Sequence, residues 1–207
     1  MGNITVVNHP IIQHHLSILR DHRTYEYDFR LRLKYICQLM FFEVTKEIQT
    51  KSIKITTPLE SMEGQILKND LIIVTILRAG LGMQEAFLNL FPEAAIGHLG
   101  FYRNEETLQP VRYYYNLPKN LADSEIILAD PMLATGGSLN AAIALLKEHG
   151  AKRIKCVTLV SVQQGIDFVL SNHPDVAIYT AALDRELNNK GYILPGLGDA
   201  GDRQFRT

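Results

Sequence analysis

Asp130 closes the apolar run "IILA" of residues 126–129, and Pro131 stops that run from continuing as a ladder strand. Met132, Leu133 and Ala134 lead to Thr135, Gly136, Gly137 and Ser138, after which Leu139, Ile143 and Leu146 recur at helical spacing. Two chemistries stand side by side in this stretch. Glycines let a ligand approach the backbone closely. Free N–H groups at a helix start, with the helix dipole behind them, suit a phosphate. The Thr135 and Ser138 hydroxyls add donors or cap the helix. Asp130 carries the wrong charge for a phosphate and suits the hydroxyls of a sugar. A sugar phosphate satisfies both requirements. Neither G-x-x-x-x-G-K-[ST] nor G-x-G-x-x-G occurs in the 126–150 stretch, so this turn is not one of the mononucleotide or dinucleotide loops those motifs mark.

Two further loops carry suitable residues. In "ILRAGLGM", residues 76–83, an apolar run ends on Arg78, followed by Ala79, Gly80 and Gly82. Arg78 supplies a cation for a phosphate or diphosphate. Arg103 ends another strand-like run, "FYR", before the polar stretch "NEETLQP". Near the C-terminus, "GYILPGLGDAGDRQF" spans residues 191–205 and is anchored by Tyr192, Ile193 and Leu194. A glycine-rich loop exposes backbone N–H and C=O groups that can read the edge of a flat heterocycle. A pyrimidine would be told apart by its pattern of carbonyl and N–H groups, because a polar site rejects analogues that leave a partner unpaired.

These loops need elements to position them. "HPIIQHHLSILRDH" and "YDFRLRLKYICQLMFFEVTKEIQ" read as helices, with Asp28 a cap for the second, and "SIKITTPLESMEG" as a short strand and turn. From residue 71 onwards, strand-like runs alternate with helical patterns: "LIIVTIL", "MQEAFLNLF", "AAIGHLGFYR", "VRYYYNL", "EIILA", "LNAAIALLKEHG", "IKCVTLVSV", "GIDFVLSNHP" and "VAIYTAAL". That alternation predicts an α/β fold with a mostly parallel central sheet flanked by helices. In such sheets ligands bind at the carboxyl ends of the strands, where these loops fall. The expected organisation is a single domain over residues 1–207. It comprises a helical arm segment over 1–57 and a small C-terminal base-binding hood over 185–207.

With 207 residues, 46% hydrophobic and a formal net charge of −1, the chain can bury a sizeable core and shows no basic face for nucleic acid. The two cysteines, Cys37 and Cys156, lie in apolar stretches and read as buried free thiols of a reducing compartment. No Cys/His spacing suggests a metal site. With no signal-peptide core and no apolar run near the ~20 residues that span a bilayer, the expectation is a cytoplasmic protein without membrane attachment.

"ILADPMLATGGS" resembles the phosphoribosyl-diphosphate signature of the type I phosphoribosyltransferases. Together with "ILRAGLGM", "YRNEETL" and "GYILPGLGDAGDR", the whole chain is similar to the uracil-specific branch of that family. The resemblance implies transfer of a phosphoribosyl group from 5-phospho-α-D-ribose 1-diphosphate to uracil, giving UMP and diphosphate in pyrimidine salvage. It implies that residues 130–138, Pro131 included, hold the ribose and its 5′-phosphate, and that Arg78 and Arg103 meet the diphosphate. It further implies that Ile193, Gly198, Asp199 and Ala200 form the uracil pocket, with Asp199 also near the donor. Mg²⁺ would enter mainly through the substrate's diphosphate, with no protein ligand set of its own. GTP as an allosteric activator and assembly as a homo-oligomer, dimer or higher, are implied too. The loop after Arg103 is the expected lid. Two places depart from the family pattern: Arg206 stands where "FGT" is usual, and Gln163-Gln164-Gly165 replaces "PEG". Transfer to another base, an RNA-binding regulator built on the same fold, and a catalytically dead homologue, suggested only by Arg206 and Gln163-Gln164, are the competing readings.

Overall fold

The computed structural model describes residues 4–103 and 110–207; the core of the expected lid, residues 104–109, and the Arg103 side chain lie outside the described residues. The chain opens with β1 (Ile4–Val6), α1 (Pro10–Arg20), α2 (Glu26–Thr45), β2 (Thr50–Thr56) and β3 (Ser61–Leu67). It continues through β4 (Leu71–Leu77), α3 (Leu81–Leu88), β5 (Ala95–Arg103), β6 (Pro110–Asn116), β7 (Glu125–Ala129), β8 (Met132–Leu133) and α4 (Gly137–Glu148). The last part holds β9 (Arg153–Val162), α5 (Gln163–Asn172), β10 (Ala177–Asp184), β11 (Glu186–Leu187), β12 (Ile193–Leu194) and α6 (Ala200–Phe205).

The main sheet runs β1-β10-β9-β7-β4-β5-β6, with β8 beside β9. Its pairings are parallel except β5 with β6. Strands covered on both faces need apolar residues at successive positions, which is why "LIIVTIL" does not alternate. Leu71 and Ile73 of β4 join a core with Leu33, Ile36 and Met40 of α2 and Phe87 of α3. Ile72, Val74 and Ile76 face the other way, towards Leu139, Ile143 and Leu146 of α4 and Val169 of α5. Leu33, Ile36 and Met40 are completely buried, each worth about 1.5–3 kcal/mol of transfer free energy, which holds α2 against the sheet. In the register, Thr75 lies opposite Ala129, and Ala129 opposite Val157. These parallel strands run in the same direction, so Arg78 after β4 and Asp130 after β7 emerge at one carboxyl edge, while β9 runs on past Val157 to Val162.

Several details depart from expectation. Asp28 does not cap α2: the cap position is Tyr25, without a side-chain bond, and Asp28 sits in the first turn accepting from Arg32 Nε at 3.0 Å. A carboxylate there still complements the helix dipole. "SIKITTPLESMEG" opens a full antiparallel hairpin, β2–β3, whose second strand is largely exposed on both faces, so its alternation of Met62 and Ile66 with polar residues marks no buried face. Strand β1 extends the sheet edge through Ile4 opposite Ile178, too short to stand out in sequence. The glycine-rich C-terminal stretch contains α6, capped by Asp199 through a 2.9 Å bond from Asp202 N.

Candidate active site

Strand β7 ends at Ala129, and the Asp130 amide still donates to Val157 O at 3.2 Å. The Pro131 carbonyl accepts from Leu159 N and Val160 N at 2.9 and 3.2 Å, so the proline is tied into the sheet behind the loop. Gly136 then adopts a left-handed conformation, with φ 85°, a region that strongly favours glycine. This turns the chain into α4, whose first N–H groups receive no side-chain cap. The cap position is thus Gly136, which has no side chain to cap with, rather than Thr135 or Ser138. A cavity of about 140 Å³ forms over this helix start, lined by Asp130, Pro110 and residues 132–139. Backbone amides at a helix start beside a pocket of that size are chemically suited to cradle an anion.

Gly165 explains how α5 supports the cradle. A side chain there would run into the Ala134 carbonyl, and one on Gly136 would meet Gly165 O at 2.9 Å. The two glycines let the start of α5 press directly on the loop. Gln163 and Gln164 are exposed, Gln163 Nε2 bonding Asp167 Oδ1 at 2.8 Å, so this departure from the family pattern stays outside the cleft.

A second cavity, about 560 Å³, adjoins the cradle and shares Asp130, Met132, Ala134 and Ser138 with it. Arg78, Ile193 and Asp199 also line it, so the structure brings together residues from three distant loops. Arg78 follows β4 after a cis Leu77–Arg78 peptide, and its guanidinium reaches Asp202 Oδ1 at 3.3 Å and Thr207 Oγ1 at 3.4 Å. Gly80 sits where a Cβ would come within 2.8 Å of both Ile76 O and Ala129 O, which sets the tightness of that turn. Gly198, a left-handed turn residue with φ 80°, and Ala200, fully buried, do not line the cleft. Burial pushes the Asp130 carboxyl up to about 7; the Asp199 charge adds to the rise and the Met132 amide opposes it.

Residues beyond those picked out in the sequence complete the walls. Tyr102 and Tyr113, their rings 6.4 Å apart, come from β5 and β6, and Lys190 and Tyr192 come from the β11–β12 hairpin. The "YYY" run was visible as a strand, but only the β5–β6 pairing places one of its rings over Gly100, at the cleft. A larger cavity of about 860 Å³ lies at the opposite, amino edge of the sheet, between the β2–β3 hairpin and the start of β4. The glycine-turned start of α4 and the Arg78 turn are both at the carboxyl edge, beside the two smaller cavities.

The hood is held from below by the N-terminal helices. Arg20 makes a bidentate pair with Asp184 at 2.6 and 2.7 Å and donates to Gly196 O at 2.9 Å, while Asp184 also accepts from Gly196 N at 2.9 Å. Arg203 donates to Leu197 O at 2.8 Å and Asp21 O at 2.7 Å, its guanidinium 4.5 Å from the centre of the Phe29 ring. Arg206 takes the left-handed C-cap of α6 with φ 61° and points to Glu26 Oε1 at 3.4 Å, away from the cleft.

Comparison with known proteins bears on the same chain length. The family described as uracil phosphoribosyltransferase matches residues 6–207. A uracil phosphoribosyltransferase of Dictyoglomus turgidum is 51% identical over 205 residues, covering 99% of each chain. One from Finegoldia magna is 50% identical over the full length of both. Among solved structures, the AQ2163 protein of Aquifex aeolicus superposes with a TM-score of 0.94 at 35% identity, over 98% of this chain and 97% of that one. A hypoxanthine-guanine phosphoribosyltransferase of Bacillus anthracis shares the fold at a TM-score of 0.54 and 10% identity, over 77% of this chain and 80% of that one. With a family match from residue 6 to the last residue and half of all positions identical to full-length relatives, the chain belongs to the uracil phosphoribosyltransferase family.

Proposed function

We propose that the protein joins uracil to the phosphoribosyl group of 5-phospho-α-D-ribose 1-diphosphate, forming UMP and diphosphate in pyrimidine salvage. The observation that carries this reading is the junction of the two cavities at Asp130 and Ser138. A phosphate in the smaller one leaves its ribose beside Asp130 and its anomeric carbon facing the larger one. Asp130 accepts hydrogen bonds from the ribose hydroxyls, and the amides of residues 135–138 hold the 5′-phosphate. Ile193 and Asp199, from the hood, bound the place where the base lies in line with the C1–O bond. Gly198 and Ala200 shape the turn that presents Asp199.

As the bond to diphosphate breaks, positive charge builds on the ribose and negative charge on the leaving group. Arg78 is placed to take up that negative charge, and Arg103 is assigned the same task from the end of β5; such preorganised charges act most strongly on charge that develops during the reaction. Holding the two substrates in line supplies the entropic part of the acceleration. Among the described residues no group of three or more His, Cys, Asp and Glu side chains gathers to hold a metal. The donor set fits a Mg²⁺ carried in by the diphosphate, with Asp130 and Asp199 as the carboxylates facing it. Bound there, Mg²⁺ would neutralise diphosphate charge. GTP activation and a homo-oligomeric assembly belong to this proposal, as does a cytoplasmic location, which the buried free thiols Cys37 and Cys156 suit.

The test is formation of UMP from uracil, the ribosyl donor and Mg²⁺, with and without GTP, and with cytosine, hypoxanthine and orotate as alternative bases. UMP from uracil alone supports the reading. Donor binding without product from any base would replace it with a sensor.

A further inference from the structure

Gln204 stands on the last turn of α6, completely buried, and its amide nitrogen donates to two backbone carbonyls, Ala79 O at 2.9 Å and Ala200 O at 2.8 Å. Both neighbours are acceptors, so the NH₂ end must face them. Ala79 directly follows Arg78, and Ala200 directly follows Asp199. A single side chain thus ties the backbone of the turn bearing Arg78 to that of the hood helix bearing Asp199. The other end of the amide is unusual: Oε1 is buried and finds no hydrogen-bond donor among the described residues. It fills the space where Gly82 lacks a side chain, since a Cβ on Gly82 would overlap it. The Gln204 carbonyl is itself fastened, accepting from Arg30 Nη1 at 2.7 Å.

An apolar side chain at this place would avoid the orphaned acceptor, whose burial costs about 1–3 kcal/mol. Asp199 is exposed on the first turn of a six-residue helix. Arg78 is half exposed on a turn, paired to the same helix only through the long Asp202 contact. A second link runs through Asp202, whose amide donates to Asp199 Oδ1 at 2.9 Å, but its carboxylate meets Arg78 at 3.3 Å between two half-exposed side chains, a weaker tie than the buried amide.

We infer that Gln204 is a positioning residue, which fixes the separation of Arg78 and Asp199 by clamping Ala79 and Ala200 to one amide. The inference rests on the roles given above to Arg78 and Asp199. In the resting enzyme it keeps the diphosphate side and the base side of the cleft in register before either substrate arrives.

The experiment compares steady-state kinetics and melting of the parent with Gln204→Met, Gln204→Glu and Arg78→Ala. Gln204→Met keeps the volume and removes both the clamp and the orphaned oxygen. It is expected to fold with a melting temperature close to the parent's while kcat falls about tenfold to a hundredfold, the cost of a misplacement near 1 Å. Gln204→Glu sets a carboxylate against two carbonyls at high pH but donates one bond when protonated. Its activity relative to the parent is therefore expected to recover as the pH falls. A merely structural Gln204 would move the melting temperature and leave kcat, both KM values and that pH ratio unchanged; this result overturns the inference. Where Gln204→Met does not fold, the pair Gly82→Ala with Gln204→Ala refills the space without a hydrogen-bonding group and is read in the same way. Arg78→Ala separates the two levels of argument. If it retains full activity, the site reading itself fails; if it is inactive while a folded Gln204→Met matches the parent, only the clamp is wrong.

Discussion

The role proposed for Asp130 needs a charge, while its desolvated setting disfavours one. With its carboxyl at about 7 in the folded protein and near 3.8 when exposed, the native state binds the extra proton between those values. By linkage, this group's stability contribution is intact at low pH and is lost as pH rises through about 7. Each unit is worth about 1.4 kcal/mol, and cleft water screens part of it. Asp130→Asn should therefore stabilise the substrate-free protein by about 1–3 kcal/mol at pH 8 and by little near pH 4, as read by chemical denaturation. The same variant should transfer at least about a hundredfold more slowly, since it loses the charged acceptor for the ribose hydroxyls. Stability equal to the parent at both pH values would remove the burial argument. The glycines of the cradle divide by a similar test. Gly136 and Gly165 face backbone at close range, whereas a Cβ on Gly137 would meet the side chains of Pro110, at an ordinary 3.4 Å, and Thr135, at 3.9 Å, on the wall of the smaller cavity. Gly137→Val is expected to fold and to lose donor binding by calorimetry; unchanged affinity would count against the cradle.

At the scale of elements, α1 and α2 hold the hood as much as they fill the core. Asp184 is almost fully buried and serves both Arg20 and the Gly196 amide. Asp184→Ala leaves those groups unpaired, at a cost of about 2–4 kcal/mol, somewhat below that of a fully buried pair because Arg20 keeps some solvent. The loosened hood should raise KM for uracil more than KM for the donor; an equal rise would place the damage elsewhere. Arg206 offers the opposite case. Its left-handed backbone costs a non-glycine residue about 1 kcal/mol, and its exposed pair with Glu26 returns little. Arg206→Gly should raise the melting temperature by a few degrees with unchanged kinetics. These ties mark where sequence reading stops. The strand runs, the cradle and the Arg78 turn were legible because each is a local pattern of apolar periodicity and glycine placement. Asp184 with Arg20, Gln204 with Gly82 and Gly165 with Ala134 are partners far apart in the chain, and nothing local marks them. Helix α6 was hidden for another reason: its glycines read as a loop, and only Asp199, found as its cap, shows why a helix begins there.

For the whole molecule, the surface carries apolar groups that its own fold does not cover. Among the described residues the β2–β3 hairpin pairs only with itself, although two strands alone are marginal in water. Ile55, Met62 and Ile66 are exposed along it, and Leu59 near its tip is 95% exposed. On α2, Tyr27, Leu31 and Tyr35 recur every fourth residue and Phe42 extends the stripe, all four exposed, on the side opposite Leu33, Ile36 and Met40. Apolar surface of this extent on a 23.4 kDa chain marks an association face more often than a solvated one. A second copy of the same chain is the partner that the proposed homo-oligomer supplies. Light scattering should accordingly give a mass of at least twice the chain's, and Phe42→Glu or Leu59→Lys should shift it towards the single chain. Substitutions at these places lie outside the cleft, so any loss of activity that tracks the loss of mass would mean that assembly supports the site. A parent protein that runs as a single chain at micromolar concentration would instead leave the stripe and the hairpin for a different partner.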